Sequence, residues 1–175
     1  PLYHSRKRKF QRRVQLLGSG AILNEVRKAA ELLEDKYEVA ADVYSVTSYK
    51  QLHTDGLDVE RWNRLHPGEK PRIPFITQSI QSNADAVVAA SDYVQTLPYS
   101  VAQWVNVPFL GLGTDGFGRS ETREALRDFF EVDHRHVVLA ALSSLAQAGK
   151  IEDETLRSAM ETLEIDPNKP DPARS

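Results

Sequence analysis

Four apolar runs alternate with stretches of helical periodicity, and this constrains the chain more than any other feature. RVQLLG ends in the glycine turn Gly18-Ser19-Gly20, and AILNEVRKAAELLEDKY then repeats Ile22, Val26, Ala29 or Ala30, and Leu33 at helical spacing. EVAADVYSVTS is rich in β-branched residues and predicts a second strand. YKQLHTDGLDVERWNRLHPGEKPR predicts short helical pieces, broken at Asp55-Gly56 and at Pro67, Pro71 and Pro74. DAVVAASDY and VPFLGLG predict the third and fourth strands, with a short helix in LPYSVAQWV between them that turns Leu97, Val101 and Trp104 or Val105 inward. Ser120 is the expected cap of a helix in ETREALRDFF, with Glu121 and Glu124 in its first turn. Asp133 is the expected cap of the next, whose stripe of Val137, Val138, Ala141, Leu142 and Leu145 runs out at Gly149. Asp153 opens a last helix with Leu156, Met160 and Leu163. Strands alternating with helices in this way predict an α/β sandwich around a mostly parallel sheet. Residues 1–13 read as a basic arm or linker, 14–165 as the domain, and the proline-rich 166–175 as a disordered tail.

Charge divides the chain unevenly. Of 22 Lys and Arg, Arg6, Lys7, Arg8, Lys9, Arg12 and Arg13 fall in the first thirteen residues, leaving sixteen against 25 Asp and Glu. A basic arm on an acidic body is one route to nucleic acid, but no basic face or aromatic-basic interleaving extends it, so nucleic acid is not the expected partner. The chain has no cysteine, which excludes thiolate metal sites, a catalytic thiol and disulfides, and suits a cytoplasmic location. No charged residue lies between Asp92 and Asp115, yet Pro98, Pro108, Gln95, Gln103 and Asn106 interrupt that run, so no membrane helix is expected. The sequence begins at Pro1 rather than Met, which points to a piece of something longer.

The motifs promise little chemistry. Gly111-Leu-Gly-Thr-Asp-Gly116 matches G-x-G-x-x-G, but a dinucleotide fold needs a second strand carrying an acid about twenty residues on. Here the following segment, DHRHVVLAALSSLAQAG, has helical spacing instead, so the glycines read as a tight corner. Gly18-Ser19-Gly20 lacks the Lys and Ser or Thr of a phosphate loop. His134 and His136 form an H-x-H pair beside Asp133, but positions two apart on a helix do not face each other. His53 with Asp55, and His66 in RLHPGEKPR, lie on expected loops where functional groups collect. Spacing alone shows no catalytic site.

The wording of the sequence adds what spacing does not. RVQLLGSGAILNEVRKAAELL, ADVYSVTSYKQL, DGLDVERWNRLHPGEKPRIPF, ASDYV and LGTDGFGRSETREALRDFFEVDHRHVVLAALSSLAQAGKI, from Arg13 to about Ile165, together resemble one region of one family. That region is the carboxy-terminal domain of the homodimeric, bacterial-type pyruvate dehydrogenase component, in the transketolase-like superfamily. LHPGEKPRIP and GTDGFGRSETR are the most specific pieces, and the segment PLYHSRKRKFQR departs from the pattern. The resemblance implies a three-layer α/β/α domain that supports a dimer within a thiamine diphosphate- and Mg²⁺-dependent enzyme. That enzyme decarboxylates pyruvate and acetylates the lipoyl group of dihydrolipoyl acetyltransferase. The family's Gly-Asp-Gly and Asn diphosphate motif, its activating Glu and its active-centre histidines are absent here, so no residue is carried over as catalytic, cofactor-binding or metal-binding. The candidates are contact residues: Phe117, a large apolar group between two glycines, with Asp115 and Arg119 beside it, and His66. The other reading from the residues is an independent nucleotide- or small-molecule-binding α/β protein using a glycine turn.

Overall fold

A computed structural model of the chain describes residues 10–80 and 83–175. Four strands, β1 (Arg12–Gly18), β2 (Val39–Ser45), β3 (Ala86–Ala90) and β4 (Phe109–Leu112), form one all-parallel sheet in the order β2-β1-β3-β4. Among the described residues, seven α-helices accompany them: α1 (Leu23–Lys36), α2 (Tyr49–Leu65), α3 (Phe75–Ser79), α4 (Thr96–Tyr99), α5 (Arg123–Phe129), α6 (His134–Gln147) and α7 (Asp153–Thr162). The architecture is the expected three-layer α/β sandwich. One face of the sheet presents Val14, Leu16, Val43 and Val88 to the apolar stripes of α1, α6 and α7. The other presents Leu17, Val87 and Ala89 to Tyr49, Ile76, Val101, Trp104 and Val105. Because successive strand residues alternate between faces, the β1 sequence must be apolar on both, which is why it reads as one continuous run.

One strand position breaks that rule. Gln15 is fully buried beside Asp42 and Val87, and neither end of its amide has a hydrogen-bond partner among the described residues. Asp42 next to it is satisfied by Arg13, whose guanidinium donates at 2.7 Å. A buried unpaired amide costs the folded state its lost hydration. Gln15→Met, close in volume, is therefore expected to raise stability by about 1 kcal/mol. Chemical denaturation checks it, and an unchanged or lower midpoint contradicts the account.

Two local expectations do not hold in the structure. The predicted break at Asp55-Gly56 does not occur: α2 is one helix, opened by the Ser48 hydroxyl accepting from Gln51 N. Gly56 is one of its buried positions, and a Cβ there would overlap the Trp104 indole, so glycine serves close packing and not a turn. Pro67 does act as predicted, since His66 before it leaves the helical region at φ −124, ψ 60. Thr122, not Ser120, caps α5 by accepting from Ala125 N; Glu124 stays in the first turn and Glu121 falls outside it. The cap belongs to the last extended residue before the helix, and the chain remains extended through Thr122. Asp133 caps α6 as expected.

The outer boundaries also differ from the reading of composition. Arg12 and Arg13, counted with the basic arm, belong to β1; residues 1–9 lie outside the described residues. Segment 166–175 carries a 3-10 turn at Pro172–Arg174 and lies against Gly116, where disorder was expected from its prolines. Among the described residues no helix is long and apolar enough to cross a membrane.

Candidate functional site

The loops beyond the carboxyl ends of β3 and β4 carry Tyr93 and Phe117, the two most exposed large apolar residues among the described residues, on a tightly tied scaffold. Loop 91–95 and loop 113–117 are joined by Thr114 N donating to Tyr93 O at 2.9 Å, and by the Thr114 hydroxyl donating to Asp92 O at 2.8 Å. Gln95 N adds a bond to the Asp115 carboxylate at 2.8 Å. So close an approach needs Gly113, where a Cβ would stand 2.5 Å from the Tyr93 carbonyl oxygen. Gly116 has φ 105, a left-handed conformation that favours glycine, and a Cβ on it would strike the Pro172 carbonyl. Beyond it Phe117 is 84% exposed, and on the facing loop Tyr93 and Val94 are 64% and 51% exposed.

Each glycine of the G-x-G-x-x-G match thus has a packing reason, Gly111 lying against the Tyr99 ring. No helix starts at this turn, since α5 begins only at Arg123, so the helix N-terminus that would receive a pyrophosphate is missing from it. Of the expected contact residues, Asp115 fastens the two loops. Arg119 places its guanidinium 4.1 Å from the centre of the Phe129 ring. His66 belongs to another cluster at the end of α2. Its Nδ1–H donates to Trp62 O at 2.8 Å and its ring stacks on Trp62 at 4.3 Å, with the Arg72 guanidinium 3.9 Å from that indole. The apolar surface of Tyr93 and Val94 was missed from the sequence. Its signal is a pair of large residues directly after Asp92, beyond the end of a strand and on a loop with no apolar periodicity to bury them.

A crevice of about 550 Å³ opens beside this corner, lined among others by Ile22, Asp92, Arg119, Arg123 and Phe130. It lies where β1 and β3 send their connections to opposite sides, the usual place for ligands in parallel α/β sheets. Just past the carboxyl ends of β1 and β3 the Ser19 hydroxyl donates to the Ser91 hydroxyl at 2.9 Å.

Behind the corner, two buried carboxylates bind α1, α5 and α6 together. Glu25 sits on the apolar stripe of α1, four residues before Ala29, and is nearly fully buried. It accepts from Lys28 Nζ at 3.1 Å, Arg127 at 2.9 Å, and both His134 N and His134 Nδ1. Burial alone would raise its pKa, but the hydrogen bond and charge of Lys28 and the hydrogen bonds of His134 outweigh it and hold the group below its ordinary range. Asp133 accepts from His136 N, from the His136 ring at 2.7 Å and from Arg135 Nε at 2.9 Å. There too burial works upward, and the hydrogen bonds of His136 and Arg135 overcome it and depress the pKa strongly. His134 and His136 therefore turn to different acids, so the H-x-H pair does not converge. Asp128, Asp133 and His136 do gather oxygen and nitrogen atoms within 4.8 Å. The Arg135 guanidinium bonds both carboxylates and already supplies the positive charge a cation would bring. This donor set does not fit a diphosphate-bound Mg²⁺, so no thiamine diphosphate chemistry is derived from it.

The family of the transketolase-like TK C-terminal domain matches residues 2–133, a match that includes all but Pro1 of the segment PLYHSRKRKFQR expected to depart from the pattern. The pyruvate dehydrogenase E1 component of Pseudomonas aeruginosa is 47% identical over 167 residues, which are 95% of this chain and 19% of that protein. Its counterpart from Escherichia coli K12 is 50% identical over 161 residues, 91% of this chain and 18% of that protein. The chain thus spans about one fifth of the length of these relatives. Among solved structures, ornithine transcarbamoylase from Giardia lamblia is 13% identical with a TM-score of 0.31, covering 83% of this chain and 36% of that one. A likeness that low carries no argument.

Proposed function

The chain belongs to the transketolase-like TK C-terminal domain family, and from that premise we propose that it is the assembly domain of a longer pyruvate dehydrogenase E1-type polypeptide. In this reading the longer polypeptide is a cytoplasmic homodimer that decarboxylates pyruvate with thiamine diphosphate and Mg²⁺ and passes the acetyl group to the lipoyl group of dihydrolipoyl acetyltransferase. The 175 residues themselves bind no cofactor and do no chemistry; they hold a contact surface for the remaining four fifths of that polypeptide, from its own chain or the dimer partner.

The observation that carries the reading is Phe117, 84% exposed just beyond a loop that Thr114 N ties to Tyr93 O and the Asp115 carboxylate ties to Gln95 N. An aromatic ring held out in this way is an anchor for a neighbouring surface. Asp115 and Arg119 support the corner, and His66 joins the reading as a contact at the end of α2, where Leu65 beside it is 54% exposed. In the longer polypeptide, Phe117→Ala is expected to weaken dimer assembly by about 2 kcal/mol or more. In the 175-residue chain alone it should change stability by less than about 0.5 kcal/mol. Sedimentation of the first and thermal melting of the second measure both. Equal losses in the two would make Phe117 plain core, and no loss in either would remove it as an anchor.

The crevice between β1 and β3 favours a second reading, an α/β protein that binds a small molecule or nucleotide there. Calorimetric titration with NAD and ADP separates the two. Saturable binding that Arg123→Ala abolishes supports the second, and the first expects none.

A further inference from the structure

The last ten residues of the sequence read as disordered by composition, but they make specific contacts with the corner that carries Phe117. We infer that residues 166–175 are a strap that fixes the 113–119 corner and so positions Phe117; this rests on the docking role given to that residue above. The strap is fastened at two points. At its near end Lys169 reaches back to α5 and the turn beyond that helix. Its ammonium donates to the Asp128 carbonyl, lies 3.8 Å from the Glu131 carboxylate and 5.9 Å from the centre of the Phe129 ring. Arg119 of the corner occupies the same ring, so strap and corner share Phe129 as a support.

At its far end the chain crosses Gly116. The Asp171 carboxylate accepts from Ala173 N at 2.9 Å and turns the chain at Pro172, whose carbonyl then fills the space a side chain on Gly116 would need. Gly116 therefore has two reasons to be glycine, its φ of 105 and the strap lying on it. Gln95, Gly113 and Asp115, the groups that zip the two loops together, line a cavity of about 60 Å³ with Asp171, Pro172 and Ala173. The prolines fit this role. Pro167, Pro170 and Pro172 reduce the conformations open to the released segment, so docking it sacrifices less entropy than for an ordinary tail of that length.

Hydrogen exchange on the 175-residue chain tests the strap directly. Ending the chain at Ile165 is expected to speed exchange of the amides in 113–119 at least tenfold, with protection in α1 and α6 unchanged. Gly116→Ala deletes nothing, yet it should release the strap and raise exchange in both 113–119 and 169–173. Exchange in 113–119 that stays within twofold of the parent in both variants overturns the proposal, as does a loss of protection spread evenly over the whole fold. The docking reading fails separately: if exchange rises as expected while Phe117→Ala leaves dimer assembly of the longer polypeptide intact, the strap stands and the anchor falls.

Discussion

Replacing Asp133 by Ala is expected to cost the chain about 3 kcal/mol, made up of a lost helix cap of about 1 kcal/mol and charge-assisted bonds of about 2 kcal/mol. Asp133 is a single side chain with three duties: it caps α6 through His136 N, holds the His136 ring, and anchors the Arg135 guanidinium. The His136 ring is buried, so losing its acceptor leaves a polar group with no access to water. Arg135 also reaches Asp128 and the Leu163 carbonyl, so its loosening spreads to α5 and to the end of α7. For a domain of this size the melting midpoint should fall by about 6–12 °C.

The same carboxylate sets the acid sensitivity. Asp133 and Glu25 both have folded pKa values below their ordinary ones. A depressed carboxylate contributes stability that is fully present above the unfolded pKa and is lost as pH falls towards the folded one. Wild type should therefore weaken as pH drops from about 5 to about 2, while Asp133→Ala weakens less over the same window. The gap between them should narrow with acid. A gap that stays constant or widens shows that the ion pairs do not hold α6 in place.

Trp104→Ala is the second large effect, at about 4 kcal/mol. The indole fills the face of the sheet opposite α1, lies against Gly56, tilts against His53 at 5.5 Å, and donates from Nε1 to Glu60 at 2.7 Å. Gly56→Ala probes the same contact from the other side. Helix propensity alone favours alanine by about 1 kcal/mol, but a methyl in the path of a buried ring costs about 1–3 kcal/mol. The steric cost is expected to win and make Gly56→Ala destabilising by up to about 2 kcal/mol. In a Trp104→Ala background the ring is gone and the sign should reverse, so the pair is strongly non-additive. Urea denaturation of the four proteins decides it. Additive effects would mean that Gly56 is glycine for some reason other than the ring.

Much of the fold was legible because it is written in local periodicity. The four strands and the helices α1, α6 and α7 fall where their apolar spacing puts them, and Asp133 caps α6 as a lone Asp before a periodic run should. The error with the longest reach has a tertiary cause. Asp55-Gly56 has the composition of a turn, and only the indole of Trp104, 48 residues away, shows that the glycine belongs inside a helix. The candidate surface was half legible: Phe117 stood out between its glycines, whereas Tyr93 and Val94 gained meaning only when Thr114 and Asp115 drew their loop alongside.

The sequence by itself determined the α/β class and the parallel sheet, because alternating patterns of apolar residues depend on neighbours a few positions apart, while the family was carried by the resemblance of segments such as LHPGEKPRIP and GTDGFGRSETR. Only the tertiary structure decided that Glu25 joins three helices, that α2 runs unbroken through Gly56, and that the proline-rich segment lies on Gly116. Each of these joins residues far apart in the chain, by a carboxylate collecting its donors or a missing Cβ admitting a neighbour. Contacts of that kind leave no period in the sequence, since their partners come together only once the sheet has set where each loop ends.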